Sequence, residues 1–429
     1  MRNPSKVSNR LLLLARRFPF NHGEVAAESY LESEIQYLAP YFDEVVAVGT
    51  EASVSDEPTC ELPANVAPVA LGCGNLAFDK AMLTARGLLY PHGCDEWIEE
   101  AFVSDPVEGF RKKAFRGYFA ARAAQKYEAL CQELDSRGFR PTHVYSFWLY
   151  DTALVSAWVS RRYPCARAVA RAHGYDLYTD RTRVRYLPFR RYLLQNLDAV
   201  LTCSKDGQAY IDKELPGFEG KVSTLYLGTR PLPDRSAEEG DGVLRVLSCS
   251  RVVDVKRVDV MAEAVGLLDR QGMSVRWTHF GDGPLMSEVK SICKGLNPST
   301  VDFRGNCPNA ALLRAYGDEH FDLFVNVSSS EGLPISIMEA CGVGIPVLAT
   351  DVGGTHEIVR DGENGFLLRE GCNARAVADD IARFALLDST EKKDMRRASR
   401  RIWEAGFQTE KNVGDLARVL GVEACEAGA

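Results

Sequence analysis

Short apolar runs rich in branched side chains alternate along this chain with longer stretches in which apolar residues recur every three or four positions. The short runs have strand length and the longer ones keep the helical period, which is the pattern of parallel sheets covered by helices. In the first half the strand candidates are Leu11 to Ala15, Val45 to Val48, Val144 to Phe147, Ala168 to Ala172, Ala199 to Thr202 and Val222 to Leu225. After Leu227 the period is lost in GTRPLPDRSAEEGDG, whose prolines, glycines and charges mark a linker. The pattern restarts with Leu244 to Ser248, Ser274 to Phe280, Val301 to Phe303, Phe321 to Val327, Ile345 to Ala349 and Phe366 to Leu368. This predicts an α/β chain of two doubly wound domains. Such a pair leaves a cleft, and in open α/β sheets ligands sit beyond the carboxyl ends of the strands.

Length and composition agree. A chain of 429 residues is too long for one ordinary domain. With 46% hydrophobic, 26% charged and 9% aromatic residues, each half can bury a core. A net charge of -8 argues against a general nucleic-acid binder, which needs clustered Lys and Arg in excess. The 12 cysteines include no C-x-x-C pair, so they read as reduced thiols and not as a zinc knuckle or redox centre. No magnesium-binding carboxylate pair stands out either, so no metal is expected. The apolar run LLLLA is far shorter than a secretory or membrane-spanning segment. The expectation is a cytoplasmic protein.

The most informative stretch is EGLPISIMEACGVGIPVLATDVGG. It follows the strand FVNVS, and Pro334 is suited to open a helix because its missing N–H is one that a helix start leaves unpaired anyway. The N–H groups and dipole at that start suit a phosphate or sugar oxygen. Glu331 precedes the helix and Glu339 lies inside it; a carboxylate accepts two hydroxyl hydrogen bonds at once, as a vicinal diol requires. By spacing alone both could equally be solvated charges. Upstream, LRVLSCS runs into Arg251, with Lys256 just before the helical stretch VDVMAEAVGLL. Two cations at a strand-to-helix turn can hold a diphosphate; the plainer alternative is a surface ion pair with Asp254 or Asp259. In HFGDGP, Gly281 and Gly283 would let backbone approach a ligand, or simply make a tight turn.

Taken in order, SRVVDVK, HFGDGP, VDFRG, SSSEGLPISIMEACGVGIPVLATDVGGTHEIV and DGENGFLL resemble the retaining glycosyltransferases of family four, of the polysaccharide-assembly type. The resemblance spans nearly all of the second half. It implies the GT-B fold: two Rossmann-like domains, the first covering 1–228 with the acceptor, the second 229–401 with a nucleotide-sugar donor. It implies that residues 402–429, whose helical period runs through EKNVGDLARVLGV, cross back to the first domain. Glu331 would contact the transferred sugar, Glu339 the ribose, and Arg251 with Lys256 the diphosphate. The base would sit near Arg304 to Asn306, and the backbone at Gly332 and Leu333 would meet the donor. Arg257 departs from the family, which usually has Gly there. The implied reaction is transfer of a sugar to an acceptor hydroxyl with retention and without a metal. A nucleotide-sugar epimerase or hydrolase on the same fold, or a non-catalytic partner protein, are the alternatives.

In the first half, RAHGYDLY places His173 and Gly174 directly after a strand. It resembles the family's His-Gly element, so His173 is assigned to sugar positioning, with general-base action as the weaker choice. RRFPFNHGEVAAESYLESEIQYL resembles the family's opening segment, and puts Gly23 and Glu24 in an acceptor loop, although Glu24 equally suits a helix start. Ser204 reads as a helix cap. A saccharide or lipid-linked saccharide is the expected acceptor. Finally, FRKKAFRGYFAARAAQK, from Phe110 to Lys126, holds six Lys or Arg and no acid, and Phe115, Tyr118, Phe119 and Arg122 share helical spacing. Together with the basic stretch Arg161 to Arg191 it has the composition of an interfacial helix in peripheral contact with an anionic membrane, and equally that of core aromatics with solvated cations.

Overall fold

The computed structural model describes residues 8–21, 28–74, 77–89, 95–235, 242–297 and 300–423. The first unit is built on a parallel sheet of β1 (Arg10–Ala15), β2 (Glu44–Gly49), β3 (Val66–Ala70), β4 (His143–Ser146), β5 (Arg167–Ala172), β6 (Ala199–Thr202) and β7 (Val222–Thr224), in the order β3-β2-β1-β4-β5-β6-β7. Leu11 to Ala15 are wholly buried. A strand apolar on both sides is what a parallel sheet with helices on both faces requires. β3 is not among the predicted strands, because Pro68 interrupts VAPVA; the strand lies at the sheet edge, where a missing N–H is tolerated.

The second unit holds β8 (Leu244–Cys249), β9 (Val275–Phe280), β10 (Val301–Gly305), β11 (Leu323–Asn326), β12 (Val347–Thr350) and β13 (Gly365–Leu368), again all parallel, in the order β10-β9-β8-β11-β12-β13. In each sheet the order reverses once, between β1 and β4 and between β8 and β11. The loops leaving those strands diverge to opposite faces and open a crevice at the carboxyl edge, the place where open α/β sheets bind ligands.

The units divide at 225/226 and at 408/409, against the predicted 228/229 and 401/402. Tyr226 goes with the second unit because its hydroxyl donates to Glu357 (2.7 Å) and its ring packs on Phe407. Residues 402–408 stay there because Trp403 is fully buried and donates to the Thr229 hydroxyl at 2.7 Å. The helix Thr409–Leu420 then joins the first unit, packing on the helix Ser29–Leu38 and on β5. Leu416, Ala417 and Leu420 are fully buried there, and Arg167 Nε donates to the Val419 carbonyl at 2.7 Å.

The expected interfacial helix is corrected. Phe110 to Lys126 form part of the helix Phe110–Arg137, but Phe119 is buried in the core and Phe115 packs against it. Arg122 and Lys126 point inward to an ionic cluster. Lys126 Nζ lies 3.0 Å from Glu51 and 2.8 Å from Asp151, while Arg122 pairs with the same two carboxylates and Arg16 grips Glu51 from the other side. Such burial is tolerated only when the charges are paired. Phe110 and the three cations after it remain exposed. In the second basic stretch, Arg171 is buried against Glu34, and Arg161 and Arg162 pair with Glu100 and Asp135. Among the described residues no helix is long and apolar enough to cross a membrane.

Anchoring of the last helix has a direct test. Leu416→Ala removes a fully buried side chain, so the unfolding free energy of the first unit should drop by about 2–5 kcal/mol. Chemical denaturation reads this, and a loss below roughly 0.5 kcal/mol, the size of a surface substitution, would show that the helix is not anchored.

Candidate active site

The loop leaving β8 and the loop leaving β11 flank the second sheet's reversal, and they carry the predicted residues. Lys256 ends the short 3₁₀ turn Asp254–Lys256, and its ammonium lies 2.7 Å from Glu331 Oε1. Asn326, the last residue of β11, donates to the same oxygen at 3.2 Å, and its own Oδ1 accepts from the Ser328 N–H. Ser329 N–H closes the two loops together by donating to the Val255 carbonyl (2.8 Å). The Glu331 side chain is only 10% exposed, so the pair is partly shielded from water, where a charge-assisted bond is strongest. The alternative of a surface pair with Asp254 or Asp259 is not what forms: Lys256 meets Glu331. Arg251 is exposed and has no side-chain partner among the described residues.

Backbone packing explains the glycines. A Cβ on Gly353, whose φ is 53°, would stand 2.1 Å from the Glu331 carbonyl oxygen, and Gly354 N–H donates to the Gly332 carbonyl at 2.8 Å. The DVGG segment is thus a floor under Glu331, Gly332 and the buried Leu333, and Pro334 caps the helix Ile335–Gly342 beyond them. Gly281 and Gly283 have a role different from the one expected. A Cβ on either would collide with the carbonyl of Ser250 or Val252, so the close approach is to the Arg251 loop itself. Hydrogen bonds from Ser250 and Val252 to the carbonyls of Phe280 and Asp282 fix that loop.

Arg257 sits at φ 50°, a left-handed conformation that glycine adopts without strain, which is the physical reason a glycine suits this position. Its guanidinium donates to the Cys372 carbonyl after β13. Glu339 lies on the helix Ile335–Gly342, buried, with Asn309 Nδ2 donating to it at 3.0 Å. Burial pushes its carboxyl up to about 7, against the opposing pull of the Asn309 hydrogen bond. Arg304 is committed elsewhere: it forks onto Glu319, with Nη2 at 2.7 Å, and reaches Asp302 at 3.0 Å. Asn306 is exposed just past β10. Asn309 and Asn326 are not among the predicted residues; the signal for Asn326 is a lone amide inside the apolar run LFVN.

In the first unit, His173 follows β5 and is walled by the rings of Phe147 and Trp148, at 4.4 and 4.5 Å. Asp176 organises this turn. Its Oδ1 accepts from the N–H groups of His173 and Gly174 (2.9 Å each), its Oδ2 from that of Leu149, and the carboxylate lies 3.8 Å from the His173 ring. Burial disfavours the imidazolium, but Cys203 and Asp176 outweigh it and the pKa is pushed up to about 9. Gly23 and Glu24 lie outside the described residues. Glu28 is the residue missed there: its carboxylate accepts from the N–H groups of Arg16, Arg17 and Phe18 and from the Trp148 indole. Ser204 caps the helix Lys205–Glu214 by accepting from Gly207 N–H at 3.0 Å. Among the described residues no group of three His, Cys, Asp or Glu is placed to hold a metal.

Residues 234–402, which carry the Lys256–Glu331 pair, match the family model of glycosyl transferases group 1. The second unit is therefore similar to the group 1 glycosyl transferases. Among curated proteins the chain is 26% identical over 254 residues to the putative colanic acid biosynthesis glycosyltransferase WcaL of Escherichia coli, covering 58% of this chain and 62% of that protein. It is 30% identical over 147 residues to the amylovoran biosynthesis glycosyltransferase AmsK of Erwinia amylovora, 33% of this chain and 36% of that one. The matched segments thus span less than two thirds of either relative. The whole fold is that of GT-B glycosyltransferases. Sucrose-phosphate synthase from Thermosynechococcus elongatus superposes with a TM-score of 0.68 over 96% of this chain and 98% of that one, at 17% identity. Anabaena Alr3699/HepE in complex with UDP and glucose gives 0.64 over 96% and 99%, also at 17%.

The pKa of Glu339 yields a test on the second unit. A carboxyl whose folded pKa is raised from 4.5 to about 7 binds its proton more tightly when folded, so its contribution favours the fold below pH 4.5 and is lost as the pH rises towards 7. A tenfold change in proton affinity corresponds to about 1.4 kcal/mol. Glu339→Gln should therefore be more stable than the parent at pH 7.5 relative to pH 5, by roughly 1–3 kcal/mol. Parallel melting curves at the two pH values measure it; identical pH dependence in the two proteins would mean Glu339 titrates normally.

Proposed function

We propose that this protein transfers a sugar from a nucleotide-diphosphate donor to an acceptor hydroxyl, with retention of configuration, in the assembly of a cell-surface polysaccharide or glycoconjugate. The observation that carries this is the Lys256–Glu331 pair at the β8/β11 reversal, with exposed Arg251 beside it and buried Glu339 on the next helix. Lys256 and Arg251 are suited to the diphosphate, Glu331 to the sugar, and Glu339 to the ribose diol. Support comes from the UDP and glucose bound in HepE and from the polysaccharide roles in the names of WcaL and AmsK. The acceptor, a saccharide or lipid-linked saccharide, is assigned to the first unit.

In this reading donor binding draws Lys256 from Glu331 onto the diphosphate. The departing phosphate is then stabilised by Lys256, Arg251 and the N–H groups opening the helix Ile335–Gly342. No metal is called for, since these groups supply the positive charge. The departing phosphate oxygen takes the acceptor proton on the same face as the new bond, so no carboxylate nucleophile is needed. The carboxylate of Asp176, 3.8 Å from the His173 ring, favours a protonated imidazole, so this reading assigns His173 to donating to a sugar hydroxyl and not to general-base action. The described cysteines are all free, which suits a reducing, cytoplasmic setting.

Lys256→Ala should weaken donor binding about tenfold to a hundredfold, the worth of one charge-assisted hydrogen bond. Glu331→Ala should cut turnover while leaving the melting temperature close to the parent's. Near-normal transfer by both variants would refute the donor-site assignment, and donor turnover that ignores added acceptor would point to a hydrolase or epimerase. NMR of the product anomer settles the stereochemistry: an inverted product is incompatible with the same-face route.

A further inference from the structure

The first unit contains a pocket of about 390 Å³ whose lining residues have no part in the donor site proposed above. Its inner wall is apolar: Leu149, Leu177, Leu187, Leu194 and Ile211 are all buried and all line it. Its mouth is cationic. Arg185 and Arg191 are exposed, Arg191 lying over the Phe218 ring, and the half-buried Arg190 lines the pocket with them. Two acids also line it: Glu214 stands exposed on the rim, while Asp105 is already committed to the Tyr186 hydroxyl and the Phe189 N–H.

Two features mark this as a built site. Arg190 Nη1 is buried with no hydrogen-bond partner, although a buried guanidinium N–H normally has one. Burial lowers the pKa of Arg190 to about 10, in spite of nearby Asp176. The segment that forms the mouth is also strained. Arg185 and Phe189 adopt left-handed φ values of 46° and 62°, two of the three such non-glycine residues described. Backbone of this kind persists where the surroundings over-determine it and gathers at ligand clamps.

We propose that this pocket binds an amphiphilic phosphate, with its hydrocarbon chain against the leucines and its phosphate on Arg185, Arg190 and Arg191. The size and the apolar wall with a few convergent polar groups match small-molecule sites, and guanidinium forks match phosphate geometry. Arg190 also donates through Nη2 to the Asp176 carbonyl, and Asp176 holds the His173–Gly174 turn, so a headgroup on Arg190 is linked to that turn through Asp176. The site stands independently of the donor assignment, and its test involves binding alone.

The probe is decyl phosphate below its micellar concentration, titrated calorimetrically into the full chain, with inorganic phosphate and decyl glucoside as comparison ligands. Saturable one-to-one binding of decyl phosphate is expected, at least tenfold tighter than either comparison ligand. Arg190→Gln should weaken it tenfold or more. Because that variant also removes a support of Asp176, the double variant Arg185→Gln/Arg191→Gln, confined to the exposed rim, is measured beside it and should lose tenfold with an unchanged melting temperature. Failure of decyl phosphate to saturate, equal binding by the rim variant, or equal binding of inorganic phosphate or of decyl glucoside would each overturn the proposal.

Discussion

The reversal of strand order between β8 and β11 is the constraint on which the Lys256–Glu331 pair depends. Neighbouring parallel strands whose connections leave in opposite directions cannot have their carboxyl-end loops packed on each other along the whole edge. Lys256 and Glu331 come from those two loops, 75 residues apart in sequence, and meet at 2.7 Å. Holding them there takes backbone contacts that admit no side chain: Gly353 under the Glu331 carbonyl, and Gly281 and Gly283 behind the Arg251 loop. The glycines of this region therefore serve the protein's own backbone first. Their effect on a ligand is indirect, through the loops they position.

The same topology in the first unit is used differently. There too a carboxylate stands at the reversal, since Glu28 joins the loop after β1 to Trp148 in the loop after β4. Glu28 is nearly inaccessible and receives four N–H donors, three from consecutive backbone amides. A carboxylate so thoroughly engaged is a fastener. Glu331, more exposed and held through a mobile lysine, can exchange its partner for a ligand group. Topology supplies the place for a carboxylate in both sheets, and the number of donors decides whether it is structural or available.

Much of this was legible in the residues. Apart from β3, every strand falls on a short run of the kind a two-sided parallel sheet demands, and even half-exposed β10 kept its period. β3 was hidden by Pro68, which sequence rules exclude from sheet interiors but not from edges. The residues that meet at the β8/β11 reversal were visible because they lie in one contiguous, glycine-marked segment and one cationic turn. The interfacial helix was misread for a physical reason. Periodicity shows which residues share a helix face, and Phe119, Arg122 and Lys126 do share one, but it cannot show what that face meets. The carboxylates that neutralise Arg122 and Lys126 come from Glu51 after β2 and Asp151 after β4. Lys126 and Glu51 are 75 positions apart, and only the fold brings them together.

That buried cluster has a consequence for the loop after β1. Three cations, Arg16, Arg122 and Lys126, share two carboxylates, Glu51 and Asp151. Ion pairs of this sort seldom add stability beyond what an apolar core would give, and breaking one leaves an uncompensated charge. Their value is in specifying one arrangement. Arg16 is the member that reaches the surface, and its N–H is also one of the three held by Glu28. The first residue after β1 is therefore fixed through both backbone and side chain, by a carboxylate on each side. The next segment begins from a rigid anchor at the carboxyl edge beside the reversal, and the surface there starts with a guanidinium whose position the core has already set.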